Sequence, residues 1–301
     1  MATTENTTIT VLNRPRRSLL YVPGNRRELI EKCKKYNPDS LILDLEDAVP
    51  PQEKGRARDV VREALLSIDF GHIEKTVRIN SPETEDGEKD LEAILPAKPD
   101  CIRIPKVEAV REIATLDRRM NETEKAHGFP RASIAVIPIL ETATGVWKAY
   151  EILSGCSRII GVAIGAEDLM KDMGMPSREK TVLSWIRILV KLQAAAAKVA
   201  AFDGVYSNFN DLEGLRTEAR AARDWGYEGK SVIHPKQIPI VNEVFSPTQD
   251  EIEYASRVSE AFERVVQTGG GVANLDGKMI DKPVYERAQK ILEKARLLNL
   301  V

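Results

Sequence analysis

Residues 134–140 read IAVIPIL: seven apolar side chains in a row, four of them β-branched, closed abruptly by Glu141 and Thr142. A run this short and this continuously apolar is the pattern of a strand covered on both faces, as in a parallel sheet flanked by helices. The next run downstream, 159–164 (IIGVAI), ends the same way, on Gly165-Ala166-Glu167-Asp168. Working outward, the rhythm recurs at 18–22 (SLLYV), 40–45 (SLILDL), 76–80 (TVRIN), 101–105 (CIRIP), 202–207 (FDGVYS) and 230–233 (KSVI). Helical patterns fill most of the gaps. Leu29, Ile30 and Cys33 repeat at the three-to-four interval, a Glu/Arg/Ala-rich helix is expected over 52–66, and another over 182–201 around Ala194-Ala195-Ala196-Ala197. Eight such repeats predict an α/β fold of the closed (β/α)₈ TIM-barrel type. An open doubly wound sheet is the rival, because closure leaves no direct mark on a sequence.

The chain has 301 residues, 43% hydrophobic and 30% charged, enough to bury one large core. Its 44 Lys and Arg against 46 Asp and Glu give a net charge of −2, which argues against a dedicated nucleic-acid or anionic-membrane binder. The cysteines, Cys33, Cys101 and Cys156, are odd in number and form no CxxC pair, so a disulfide framework and a structural zinc site are both disfavoured. Met1 to Thr10 is polar, with no apolar signal segment, and no run approaches the ~20 apolar residues that span a bilayer. A cytoplasmic protein is expected.

Three regions follow: a polar tail over 1–15, the barrel over 16–240, and a helical segment over 241–301 that fits no ninth repeat. The last region holds a helix from Gln249 to Val266, then Gly269-Gly270-Gly271, a turn at Asp276-Gly277, and an amphipathic helix from Tyr285 to about Leu298. The glycines read either as a plain linker or as the hinge of a mobile lid.

In such a barrel the chemistry sits where strands end. The side chains there are Tyr21 to Arg26, Asp44, Glu46 and Asp47, Arg78, Lys106, Glu141, Glu167 with Asp168, Asn208 to Asp211, and His234. So many acids in one cleft call for a balancing cation. Glu141 and Asp168 end neighbouring strands and can each give one oxygen to Mg²⁺, which takes one or two protein carboxylates. The competing reading is that each acid caps the helix after it. Arg78 interrupts an apolar strand, so it either pairs with the Asp44–Asp47 cluster or faces an anionic ligand. Lys106 lacks neighbours that would depress its pKa for Schiff-base chemistry. His72 and His127 read as surface residues and His234 as a turn residue. No serine sits in a nucleophile elbow, and there is no GxGxxG or Walker loop. Arg26, Arg27 and Lys32 form a basic segment that suits either a nucleotide-bearing ligand or an ordinary solvated helix face.

The segments 17–24 (RSLLYVPG), 43–49 (LDLEDAV), 77–80 (VRIN), 138–142 (PILET), 165–169 (GAEDL), 233–235 (IHP) and 276–281 (DGKMID) together resemble the citrate lyase β-subunit-like family, which includes malyl-CoA and citramalyl-CoA lyases. The resemblance runs from about Arg16 to the last helix. It implies a TIM barrel, Mg²⁺ dependence, a CoA or acyl-carrier thioester, and a homo-oligomer (trimer or hexamer) whose tail covers a neighbour's active site. By the same resemblance Glu141 and Asp168 are the magnesium ligands and Arg78 contacts the reacting oxygens. Tyr21, Arg26 and Lys32 contact CoA. Asp281 is the acid/base supplied in trans, with Asp276 as its fallback.

The expected reaction is reversible cleavage of a 3-hydroxyacyl-CoA thioester, citramalyl-CoA or malyl-CoA, to acetyl-CoA and a 2-oxo acid, pyruvate or glyoxylate. Two alternatives stand beside it: a citrate lyase β subunit acting on a carrier-bound citryl thioester, and a non-catalytic 2-oxo-acid- and CoA-binding homologue.

Overall fold

The computed structural model describes residues 14–176 and 180–301, so most of the expected polar tail lies outside the described residues. Eight parallel strands pair in sequence order, and the eighth returns to the first. They are β1 (Ser18–Pro23), β2 (Ser40–Asp44), β3 (Glu74–Arg78), β4 (Cys101–Ile104), β5 (Ala135–Leu140), β6 (Gly161–Ile164), β7 (Ala200–Asp203) and β8 (Gly229–Val232). The barrel is closed and the open-sheet rival is excluded. Around it lie α1 (Arg27–Cys33), α2 (Lys54–Ser67), α3 (Glu85–Ile94), α4 (Val110–His127), α5 (Ala143–Trp147), α6 (Ala149–Ser154), α7 (Ala166–Asp172), α8 (Lys180–Ala196), α9 (Leu212–Asp224) and α10 (Ile238–Phe245).

The continuous apolar runs divide by alternation between two cores. Inward residues such as Leu19, Ile42, Ala135, Ile137 and Phe202 fill the barrel, while their neighbours Leu20, Leu41, Leu43, Val136 and Ala201 pack under the helices. Gly161 leaves room for the Phe202 ring, since a Cβ there would stand 2.5 Å from it.

Two elements depart from their expected bounds. The helix expected to run to residue 201 stops at Ala196, because Lys198 adopts φ 60° and Val199 N bonds back to Ala194 O at 3.0 Å. That frees Ala200 to begin β7, and the strand ends at Asp203 rather than residue 207. Tyr206 instead enters a loop, where its hydroxyl bonds Asp211 and its carbonyl accepts from Gln237. The last barrel helix, α10, spans the 240/241 position at which the sequence reading divides barrel from tail.

The tail comprises α11 (Gln249–Gln267), a hairpin of β9 (Ala273–Leu275) and β10 (Lys278–Ile280), and α12 (Lys282–Leu297). Gly269, at φ 81°, ends α11 while Gly270 N bonds Val265 O. The Asp276-Gly277 turn joins two strands with positive φ at both residues (52° and 75°), the pattern of a type I′ hairpin. These elements bury a small core of their own, including Ile252, Val258, Phe262, Ala273, Ile280 and Leu292.

Candidate active site

A cavity of about 370 Å³ opens at the C-terminal ends of the strands, bounded by Tyr21, Asp44, Arg78, Glu141, Asp168 and Ser231 among others. Arg78, the last residue of β3, is in register with Asp44, the last residue of β2. Its Nε and Nη2 donate to the two Asp44 oxygens at 2.7 Å, and its Nη1 pairs with Glu46 at 2.7 Å and with Asp47 at 3.2 Å. Burial alone would lower its pKa, but these carboxylates hold it well above the ordinary arginine value. Arg78 is therefore paired with the Asp44–Asp47 cluster, and it also borders the cavity. The pairing also fixes the guanidinium plane.

Glu141 follows β5 and is 3% exposed. One oxygen, Oε1, accepts from Lys106 N at 2.9 Å, in a turn where Lys106 takes φ 52°. The other, Oε2, lies where a Cβ on Gly165 would come within 2.2 Å. The glycine after β6 thus makes room for this carboxylate, whereas the sequence alone suggests only space for a ligand. Burial, then the fields of Glu46 and Asp168, push Glu141 up to about 8. Burial likewise raises Glu46 despite its partners. Lys106 is desolvated, but its hydrogen bond to Glu46 at 2.9 Å and that carboxylate's field outweigh this and raise its pKa. Schiff-base chemistry there stays disfavoured.

The capping alternative fails for Glu141, whereas Asp168 does sit at the positive end of its helix. The helix after Glu141 is capped by Thr142, whose hydroxyl accepts from Gly145 N at 3.0 Å. The helix after β6 begins at Gly165 with no side-chain cap, and Asp168 lies in its first turn. Glu141 and Asp168 border this cavity and also a second one beside Lys106 and Lys171. No group of three or more His, Cys, Asp and Glu side chains suited to a metal occurs among the described residues. Two carboxylates that border one cavity and make no ion pair among the described residues do fit a hard dication that fills its remaining positions with water or substrate oxygens.

The other expected residues are dispersed. Tyr21 borders the cavity, with Arg78 5.0 Å from its ring centroid. Arg26 pairs with Glu28 on the surface, and Lys32 is exposed in the last turn of α1; neither lines the cavity. Asp281 caps α12, accepting from Val284 N at 3.1 Å, and does not line the cavity of its own chain. The far half of α12 meets Arg16 and Glu228, residues before β1 and β8, on the face opposite the site. Asp276 pairs with Arg257. His234 caps a turn, accepting from Lys236 N at 3.1 Å, and stacks on Phe209. His72 and His127 are exposed, and all three cysteines are free.

The sequence reading leaves Arg103 unnoticed and considers Ser231, with Ser18 and Ser207, only as a nucleophile that lacks an elbow. Arg103 interrupts an apolar strand just as Arg78 does, and that signal was available; Ser231 carries none.

A closed barrel with paired carboxylates and a tethered arginine at its mouth defines the class, and comparison supplies the family. Residues 17–235 match the HpcH/HpaI aldolase/citrate lyase family, to which this chain belongs. It is 39% identical over 282 residues to the citrate lyase subunit beta of Haemophilus influenzae, covering 93% of this chain and 97% of that one. It is 38% identical over 285 residues to a (3S)-malyl-CoA thioesterase of Cereibacter sphaeroides, covering 94% and 96%. Among solved structures it resembles the Mycobacterium tuberculosis protein CitE in complex with magnesium, acetoacetate and coenzyme A, with a TM-score of 0.75, 31% identity, and coverage of 94% and 98%. No helix among the described residues is long and apolar enough to cross a membrane.

Proposed function

We propose that the protein is a Mg²⁺-dependent carbon–carbon lyase that cleaves a 3-hydroxyacyl thioester to an acetyl thioester and a 2-oxo acid, or runs the reverse condensation. The observation that carries this reading is one cavity bordered by Glu141, Asp168 and the tethered Arg78. Glu141 and Asp168 would hold the metal. When bound there, Mg²⁺ supplies charge stabilisation to the carboxylate and oxo oxygens of the 2-oxo acid.

The chain's own residues do the rest. Arg78, locked by Asp44, Glu46 and Asp47, presents a preorganised cation to the oxygen that gains charge as the carbon–carbon bond breaks. Asp281 moves the proton at the acetyl carbon. In cleavage it delivers that proton while the substrate hydroxyl gives up its own to solvent as the 2-oxo group forms. In condensation it removes the carbon-bound proton while solvent reprotonates the new hydroxyl. Asp281 does so for a neighbouring subunit of a homo-oligomer, trimeric or hexameric, because it lies outside its own chain's cavity. Arg26 and Lys32 meet the CoA phosphates outside the mouth, and Tyr21 forms the inner wall along which the thioester arm ends.

Citramalyl-CoA and malyl-CoA, which release pyruvate and glyoxylate, are the first thioesters to test. A carrier-bound citryl thioester, which releases oxaloacetate, is the second, favoured by the 39% identity to a citrate lyase subunit beta. Hydrolysis of the thioester is a further step that the malyl-CoA thioesterase likeness brings into view.

The purified chain, given Mg²⁺ and either CoA thioester, should release acetyl-CoA and the 2-oxo acid, and EDTA should stop it. Activity seen only with a carrier thioester moves the protein to the second reading. Binding of a 2-oxo acid without turnover of any thioester makes it a non-catalytic homologue. The compartment we propose is the cytoplasm.

A further inference from the structure

Beneath the cavity lies a cation that neither the carboxylate pair nor the rim uses. Arg103 stands inward on β4, in register with Arg78 on β3, and is 0% exposed. Arg78 has three carboxylates around it. Arg103 has none among the described residues: its Nη1 donates to the Tyr21 hydroxyl at 3.2 Å and to Ser231 Oγ at 3.3 Å, while Nε and Nη2 are buried without a hydrogen-bond partner. The Tyr21 ring is shared by both guanidiniums, at 5.0 Å from Arg78 and 5.8 Å from Arg103.

A buried guanidinium with no anion is among the costlier things a fold can hold, and here it stands beside a second one. Its chemistry also sets its neighbours. An arginine N–H only donates, so both hydroxyl oxygens act as acceptors toward it and turn their own protons elsewhere. Tyr21 and Ser231 both border the cavity, and neither hydroxyl has another hydrogen-bond partner among the described residues. The cavity floor therefore offers two O–H donors backed by a positive charge, an arrangement suited to an anionic oxygen.

We propose that Arg103 is a positioning residue that turns the Tyr21 and Ser231 hydroxyls into a paired donor, and that this pair selects a 2-oxo acid carrying a second carboxylate. The inference rests on the lyase reading and narrows its product. The carboxylate and oxo group of the acid are taken at the Glu141–Asp168 rim, so the floor meets the opposite end. The methyl of pyruvate or the hydrogen of glyoxylate leaves two donors and the charge behind them without an acceptor. A carboxylate satisfies all three. Sites built to hydrogen-bond a group discriminate steeply against ligands that lack it. A four-carbon dicarboxylic 2-oxo acid such as oxaloacetate fits, which puts the citryl thioester ahead of citramalyl and malyl thioesters.

Titration calorimetry of the full chain with Mg²⁺ and oxaloacetate, pyruvate or glyoxylate tests this. The wild-type protein should bind oxaloacetate at least about tenfold more tightly than pyruvate. Tyr21→Phe and Ser231→Ala should each shrink that ratio several-fold, and Arg103→Met should bring it close to one. If Arg103→Met does not fold, the two hydroxyl variants decide. Equal wild-type affinities, or variants that weaken all three acids alike, overturn the inference and leave the lyase reading standing. If none of the three binds in the presence of Mg²⁺, the lyase reading falls and takes the inference with it.

Discussion

Two buried clusters of charge sit in this barrel, and they are built differently. In the wall between β7, β8 and α9, Arg187 and Lys230 face Asp203 and Glu218: Arg187 lies 3.0 Å from each acid, and Lys230 lies 2.5 Å from Asp203 and 2.7 Å from Glu218. Two cations meet two anions, and Lys230 gains a carbonyl, Gly204 O, at 2.7 Å. At the mouth, Asp44, Glu46 and Asp47 pair with Arg78 and Glu46 also with Lys106, whereas Glu141 and Asp168 make no ion pair among the described residues. Among the described residues the wall cluster is balanced in charge. The mouth carries surplus acid; burial first, and at Glu141 the fields of Glu46 and Asp168 next, raise the pKa values of Glu46 and Glu141. Burial of charge is thus not itself the mark of a site; an unbalanced sum at an open cavity is.

If that contrast is right, removing an acid should cost catalysis at the mouth and stability in the wall. Glu141→Ala or Asp168→Ala should lower Mg²⁺-dependent turnover by on the order of a thousandfold or more, since a bound metal contributes several kcal/mol of charge stabilisation. Thermal melting should show the fold retained, because losing Glu141 relieves repulsion; near-native rates, or a collapsed fold, would break the comparison. Asp203→Ala should do the reverse. It strands two buried cations and should cost about 3–5 kcal/mol in denaturant unfolding, with kcat and KM of the folded enzyme close to wild type.

Asp281→Ala sharpens the question of where the proton comes from. Turnover should drop by roughly 10²–10⁴-fold, the usual range for a positioned acid or base, while 2-oxo-acid binding persists. Mixing Asp281→Ala chains with Glu141→Ala chains should restore part of the activity, since some sites then receive one intact part from each. No recovery on mixing would count against delivery from a neighbour. The smallest effect is expected outside the mouth, where Arg26→Ala with Lys32→Ala should raise the KM for a CoA thioester only a few-fold, less so as salt rises. An unchanged KM would return α1 to the role of a solvated face.

The barrel was legible because its strands are buried on both sides, and a continuous apolar run punctuated by rim acids has few other readings. Strand ends were less so. The β7 shift came from a left-handed Lys198 and a loop hydrogen bond at Tyr206, neither of which alters hydrophobic periodicity. The hairpin of the tail was visible only as its Asp276-Gly277 turn, because three-residue strands are too short to show alternation. At the site, Glu141, Asp168 and Arg78 stood out as charges closing or breaking apolar runs. Arg103 carried the same signal and was passed over, since its strand leads to no acidic cluster and pairing across the barrel is invisible along a chain. The role of Gly165 in admitting the Glu141 carboxylate has no mark in the sequence, because the two residues meet only after β5 and β6 pair.

The tail's private apolar core has a thermodynamic corollary. Helices α11 and α12 and the hairpin bury one another, so they form a candidate cooperative unit whose melting need not coincide with that of the barrel. If the tail carries the proton donor as proposed, warming would uncouple ligand capture from proton delivery before global unfolding: a calorimeter would record two transitions, and turnover would fall with the first.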